Sequence, residues 1–160
     1  MIDMGIRIEF FDPATLDTDH RRLLGALCRP EGYLALAVPA IDSRISVSSL
    51  RLTPHDEWQP FVLGSTLRIC DVVHQPAPRR QGSVPTWWGE SPREPTVTVV
   101  LRAALRGSSL TLLPRIRQFA ADGWTLEDPA EGSELQRSWQ KARQQVDEER
   151  AREAPVHAPE

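Results

Sequence analysis

Asp71 and His74 are the residues of this chain whose type and spacing best suit acid–base chemistry. Asp71 falls in the apolar phase of a predicted strand, on the same face as Leu67 and Ile69. A buried carboxylate must be paired or have a raised pKa, and a carboxylate with a raised pKa can act as a general base. His74 lies three residues along, on the opposite face, so the two form no dyad unless a bulge intervenes. We expect Asp71 to be mostly buried with a hydrogen-bond partner, and we favour a structural role over a catalytic one.

Other catalytic or metal-binding signals are weak. His55, Asp56 and Glu57 offer a base and two acids, but adjacent side chains point in different directions. The two acidic residues are explained equally well by a first helical turn, where negative charge interacts favourably with the helix dipole. The sequence contains no phosphate-binding loop, no glycine-rich dinucleotide fingerprint, no HExxH motif and no paired CxxC motifs. We therefore expect no metal site and no cofactor, assign no catalytic residue, and lean towards a protein that is not an enzyme.

The most informative local feature is the segment 75–95, whose five prolines and two glycines exclude a regular helix or strand. Loops this long inside a compact domain are usually functional or disordered. The segment contains Arg79, Arg80, Trp87 and Trp88, and exposed tryptophan beside arginine is typical of protein-binding hot spots and of surfaces that stack single-stranded bases. Because consecutive side chains of an extended segment point to opposite sides, we expect at least one tryptophan to be exposed. The alternative is that both indoles cover the end of the sheet.

The stretch from Pro95 to Asp122 decides between two classes of protein. A helical interpretation gives a helix-turn-helix that offers its second helix to a DNA major groove. However, residues 96–100 are all β-branched, which favours a strand, and Pro114 would lie inside the second helix at a cost of about 3 kcal/mol or more. We therefore predict a hairpin and then a helix. The predicted elements are strands Thr96–Leu105 and Ser109–Leu113 and a helix from Pro114 to Asp122, ended by Gly123.

Hydrophobic periodicity predicts the remaining elements. Alternation over residues 6–10 predicts a strand with one buried face. Leucines on one side of residues 17–28 predict a helix. The last helix is predicted to begin at Asp128 and to bury a stripe that includes Trp139, which docks on its own domain or, alternatively, forms a homodimer. Further strands are predicted at residues 33–38, 44–52, 65–74 and 124–127.

These elements predict an α+β fold, with one largely antiparallel, twisted sheet of six or seven short strands and about three helices packed mainly on one face. The chain of 160 residues is the size of one domain, so we expect a single domain over residues 1–150 and a disordered tail over residues 151–160. Cys28 and Cys70 are the only cysteines, and we expect both to be reduced, small and apolar in character. No apolar run is long enough to cross a bilayer and no signal peptide is evident, which predicts a cytoplasmic protein without a membrane partner.

The net charge of −3 gives no bulk attraction to nucleic acid or to an anionic membrane. The sequence therefore favours a non-catalytic intracellular interaction module whose partner is a protein. The binding residues predicted for it are Arg79, Arg80, Trp87, Trp88 and Trp139. Two alternatives remain, a nucleic-acid-binding protein that uses the loop or the helix-turn-helix, and a small enzyme or ligand-binding domain with a pocket around Asp71.

Overall fold

The computed structural model describes residues 2–17, 19–46, 50, 66–74, 97–105 and 109–153, with the backbone alone for residues 30–32 and 109–111. This part of the chain forms six strands and two α-helices, which confirms the α+β class. The prediction of about three helices is wrong, because the first predicted helix falls largely on a strand. The strands are β1 (Ile2–Phe11), β2 (Leu23–Ala35), β3 (Arg44–Ser46), β4 (Thr66–His74), β5 (Val97–Ala104) and β6 (Thr125–Glu127). The helices are α1 (Ser109–Ala121) and α2 (Glu134–Glu153).

The six strands form one sheet in the order β3-β4-β5-β1-β2-β6. The central pair, β1 and β5, is parallel, and every other neighbouring pair is antiparallel. The sheet is therefore largely antiparallel, as predicted. Its two edge strands, β3 and β6, are three residues long each, which leaves little edge backbone on them for unwanted pairing.

Alternation in β1 separates the two faces of the sheet. Its even-numbered residues from Met4 to Phe10 are buried in one apolar core, which also contains buried side chains from both helices. Both described helices therefore pack on one face, as predicted. We call the other side the open face. It carries Arg7 and Glu9 of β1 together with their cross-strand neighbours on β5 and β2.

The helix predicted over residues 17–28 is wrong, because β2 begins at Leu23. Leu27 lies in the core, while Ala26 and Cys28 are buried on the open face. A strand buried on both faces shows a continuous apolar run, and such a run cannot be told from a buried helix by periodicity alone. The sequence signal against a helix is Gly25, because a glycine inside a helix costs about 1 kcal/mol. In the structure its φ is +145°, which is not a helical value.

The prediction for the stretch after Pro95 is half correct. Residues Val97–Ala104 are strand β5, so the first helix of the helix-turn-helix alternative does not exist. The predicted hairpin partner Ser109–Leu113 is wrong, because these residues form the start of α1, and Pro114 lies inside that helix rather than opening it. Pro114 is exposed, so its ring displaces no core side chain.

Gly123 ends α1 as predicted. Its φ is +85°, its N–H donates to the Ala120 carbonyl at 3.3 Å, and the Trp124 N–H donates to the Phe119 carbonyl at 3.0 Å, which is the Schellman arrangement. Trp124 is then fully buried, with its indole 4.9 Å from the Phe119 ring and 6.3 Å from the Tyr33 ring, both in edge-on geometry. The helix end thus places the largest buried side chain of the core.

Helix α2 begins at Glu134, later than the predicted start at Asp128. Ser133 is the N-cap: its Oγ accepts from the Gln136 N–H at 3.2 Å, while Gln136 Oε1 accepts from the Gly132 N–H at 2.9 Å. The predicted stripe is correct. Leu135, Ala142 and Val146 are buried in the core of the same chain, and Trp139 is half-buried against it.

An ion pair and a hydrogen bond join the two helices on the outside. Arg117 of α1 donates to Glu149 of α2, and Arg150 donates to the Ala121 carbonyl at the end of α1 at 3.2 Å. In the part of the chain that the structure describes, no helix is long and apolar enough to span a membrane. The domain boundary predicted at residue 150 falls inside α2. Residues 154–160 of the predicted tail lie outside the described residues.

Candidate functional site on the open face of the sheet

Arg7 is the centre of a charge network on the open face. Its Nε donates to Glu9 Oε1 at 3.2 Å, Nη1 to Glu127 Oε2 at 2.9 Å and Nη2 to Asp128 Oδ2 at 2.9 Å. Arg102 of β5 donates through Nε to the second oxygen of Glu9 at 3.0 Å. The network therefore ties β5, β1 and β6 together and fixes the start of the connection to α2, where Asp128 has a φ of +48°.

The network stabilises structure and is poorly suited to proton transfer. Burial opposes the charge of Arg7, but the hydrogen bonds from Arg7 to Asp128 and Glu9 outweigh it and raise the pKa of Arg7 above its ordinary value. An arginine that is permanently charged and bonded to three carboxylates neither gives up a proton nor has a free fork for a ligand.

Cys28 lies beside this network and is chemically quiet. Its Sγ accepts from Arg7 Nη1 at 3.5 Å. Burial, followed by the nearby Glu127 carboxylate, raises the pKa of Cys28 to about 12, against the smaller opposing effect of Arg7. Because this pKa lies far above neutral pH, Cys28 stays protonated and apolar. The thiolate is the reactive form of cysteine, so the side chain is unreactive at neutral pH. Both cysteines are free, in agreement with the prediction that they form no disulfide.

The prediction that Asp71 is mostly buried is wrong. Asp71 is exposed, and its only described hydrogen bond is from the N–H of the next residue, Val72, to Oδ1 at 2.8 Å. The cause is a register shift between β4 and β5: Ile69 pairs with Leu101, but Asp71 pairs with Val100. The extra residue, Cys70, reverses the alternation beyond it, so that Asp71 moves to the open face.

The hypothesis of a pocket around Asp71 loses its premise with this change of register, because the side chain is exposed rather than enclosed by the core. His74 is also exposed, at the end of β4, and pairs with Val97 rather than approaching Asp71. Within the described ranges, no group of three His, Cys, Asp or Glu side chains is arranged to hold a metal ion.

The predicted binding residues fall into two groups. Trp139 is on α2, where it is half-buried against the core of its own chain. The other four lie outside the described residues, as do His55, Asp56 and Glu57 and most of the strand predicted at residues 44–52. These four are Arg79, Arg80, Trp87 and Trp88.

Sequence reasoning missed the charge network and the exposed apolar side chains at one end of the sheet. Leu34 is 64% exposed, Leu36 92% and Val73 42%. The strand predicted at residues 33–38 is present only in part, since β2 ends at Ala35, and Leu34 and Leu36 are exposed. The network has a partial signal in the sequence, because Arg7 and Glu9 occupy the polar phase of β1.

These exposed side chains lie where the segment 75–96 is attached. His74 and Val97 are Cα partners, and Val97 in turn pairs with Met4, which pairs with Tyr33. This row of paired residues across four strands therefore connects the two residues that flank the segment to Tyr33, which lies next to Leu34 near the end of β2.

The chain matches no protein-family model, and neither a curated protein nor a solved structure matches it.

Proposed function

We propose that the protein is a non-catalytic interaction module that binds another protein through the segment 75–95, with Arg79, Arg80, Trp87 and Trp88 as contact residues. The observation that carries the proposal is the location of Leu34, Leu36 and Val73. These apolar side chains are exposed at the same end of the sheet at which His74 and Val97 hold the two ends of the segment. Large apolar side chains exposed at one end of a sheet are typical of a binding surface.

The described chemistry supports binding over catalysis. The charged groups of the Arg7 network are mutually bonded, the thiol of Cys28 is protonated, and Asp71 is in water. None of these groups is poised to exchange a proton or to attack a substrate. A protein partner is favoured over DNA, because β5 stands where the first helix of a helix-turn-helix would be, and the net charge is −3.

Site-specific photocrosslinking tests the proposal. A photoreactive phenylalanine analogue placed at position 36 or 73 should capture the same partner from the native cell extract, and nuclease treatment should leave the crosslink intact. The same analogue at Gln145, exposed on α2, is the matched control and should capture nothing in common with them. Loss of the crosslink on nuclease treatment would contradict a protein partner and indicate that the chain binds nucleic acid.

Substitution of both Trp87 and Trp88 by alanine tests the contact residues. We expect the thermal midpoint to stay within about 2 °C of that of the unmodified chain while the affinity for the crosslinked partner falls at least tenfold, as for an aromatic hot spot. The control is Gln140→Ala with Gln145→Ala, two exposed positions of α2. A double tryptophan variant that unfolds readily would show that the indoles anchor structure, and the proposal would fail.

A further inference from the structure

The open face of the sheet has two halves of different character. In one half, the guanidinium groups of Arg7 and Arg102 are bonded to Glu9, Glu127 and Asp128, so each of these three carboxylates has an arginine partner within the chain. In the other half, nearer the attachment of the segment 75–96, two carboxylates have no such partner among the described residues.

The two carboxylates are those of Asp3 and Asp71. Among the residues that the structure describes, neither forms an ion pair, and the hydrogen bond given for Asp71 comes from a backbone N–H. Each stands beside an exposed apolar side chain of the same face: Leu34 is the cross-strand partner of Asp3, and Val73 follows Asp71 by two residues along β4.

The spacing of these four residues suits an extended peptide. Asp71 pairs with Val100, which pairs with Arg7, so two strand spacings of about 4.8 Å separate Asp71 from β1. Asp3 lies four residues before Arg7, or about 13 Å along the strand. The Cα atoms of Asp3 and Asp71 are therefore roughly 16 Å apart, a distance that five or six extended residues cover.

We propose that this half of the open face docks a segment of the protein partner that carries arginine or lysine next to apolar residues. The inference rests on the proposed function and names the chemistry of its partner. Charge complementarity selects the occupant. Two unpaired carboxylates attract cations and repel an acidic segment, and the leucine and valine beside them take apolar side chains. The paired half of the face, in contrast, offers a cation no free carboxylate.

Two designed 12-residue peptides serve as probes, one alternating lysine and leucine and the other alternating glutamate and leucine. Titration into uniformly ¹⁵N-labelled protein at low salt should perturb amide signals of β4 and the first half of β1 with the lysine peptide, and not with the glutamate peptide. The affinity for the lysine peptide should fall at least threefold for Asp3→Asn with Asp71→Asn, and the loss should shrink on raising the salt concentration.

Matched variants separate this docking surface from general attraction to an acidic protein. Asp19→Asn removes one exposed carboxylate at the opposite end of the sheet and should leave the affinity unchanged. Leu34→Ser with Val73→Ser should weaken binding at all salt concentrations, because it removes apolar contacts. Equal binding of the two peptides, or signal changes centred on α2, would overturn the inference.

The Trp87→Ala, Trp88→Ala variant distinguishes the two proposals. If it still binds the lysine peptide but has lost the crosslinked partner, both proposals hold, because the segment and the face act as separate contacts. Partner loss without any effect of the aspartate variants on lysine-peptide affinity would leave the proposed function in place and refute the docking surface. A large fall in thermal midpoint in the aspartate double variant would show that these carboxylates hold the chain's own residues, and the inference would also fail.

Discussion

Replacing Gly25 by alanine should destabilise the protein far more than the same change at Gly132, although both glycines have a positive φ. Gly25 lies in β2 with φ of +145°, and a Cβ at this position would meet Leu135 Cδ2 at 3.1 Å, Leu126 Cδ1 at 3.2 Å and Pro129 Cα at 3.3 Å. The two leucine methyl groups can move, but Pro129 contributes backbone. The start of α2 can approach β2 this closely because position 25 has no side chain.

Two effects add at Gly25. The left-handed backbone conformation costs a residue with a Cβ about 1–3 kcal/mol, and overpacking against a well-filled core costs about another 1–3 kcal/mol. The expected loss is therefore roughly 2–6 kcal/mol, or roughly 4–24 °C in Tm for a chain of this size. At Gly132, with φ of +67°, a Cβ meets nothing within 4 Å, so the strain alone remains, at about 1–2 kcal/mol.

Equilibrium unfolding in urea, followed by far-UV circular dichroism and by tryptophan fluorescence, measures both losses on one scale. Gly123→Ala is a third member of the series: its φ is +85°, and the added Cβ would lie 3.4 Å from Arg29 Nη1, the end of a long side chain. The order of destabilisation should be Gly25, then Gly123, then Gly132. If Gly25→Ala costs no more than Gly132→Ala, then the close approach of α2 to β2 does not limit position 25, and the packing argument is refuted.

Three further predictions concern single side chains. Tyr33→Phe removes the hydroxyl that donates to the buried Leu50 carbonyl at 2.9 Å, and should cost about 1–3 kcal/mol in urea unfolding; an unchanged midpoint would contradict the bond. In a Cys70→Ser variant, Cys28 should react with a maleimide at pH 7.5 at least roughly a hundredfold more slowly than a small free thiol, because its pKa is raised to about 12; rapid labelling would contradict this. The hydrogen bond from an arginine of α1 lowers the pKa of Glu149, so its stabilising effect is present above pH 4.5 and is lost as the pH falls through the lowered value; Glu149→Gln should flatten the pH dependence of stability below pH 4.5 and not above it.

The sequence predicts strands and helices well where one face of the element is buried and the other is exposed to solvent. The strands β1 and β4 and the apolar stripe of α2 are recovered because period-2 and period-3.6 patterns differ clearly when half of the residues are polar. Strand β5 is recovered for another reason, the run of β-branched residues over 96–100. The pattern fails in β2, where Leu27 is buried on one face and Ala26 and Cys28 on the other. Two-sided burial removes the polar phase that identifies a strand, and the remaining leucines fit a helix equally well.

The failure at Asp71 has a different origin. The alternation of β4 was identified correctly as far as Ile69, and a single extra residue, Cys70, then exchanges the two faces. Nothing in the local composition marks a bulge at this position, because the bulge exists only relative to the register of β5. A one-residue change in register places the carboxylate in solvent instead of in the core. The same side chain is then a surface charge and no longer a candidate general base.

The charge network shows why the candidate site could be predicted only in part. Arg7 contacts Glu127 and Asp128 across separations of 120 and 121 residues, and Arg102 reaches back 93 residues to Glu9. The polar phase of β1 indicates that one face of the sheet bears charge, but it does not indicate which charges are satisfied. That distinction matters for the proposed function, since a paired carboxylate stabilises the fold, while one with no partner among the described residues is available for the docking proposed above. On the open face the pairing ends between Arg7 and Asp3, and the binding surface proposed for the partner begins at that boundary.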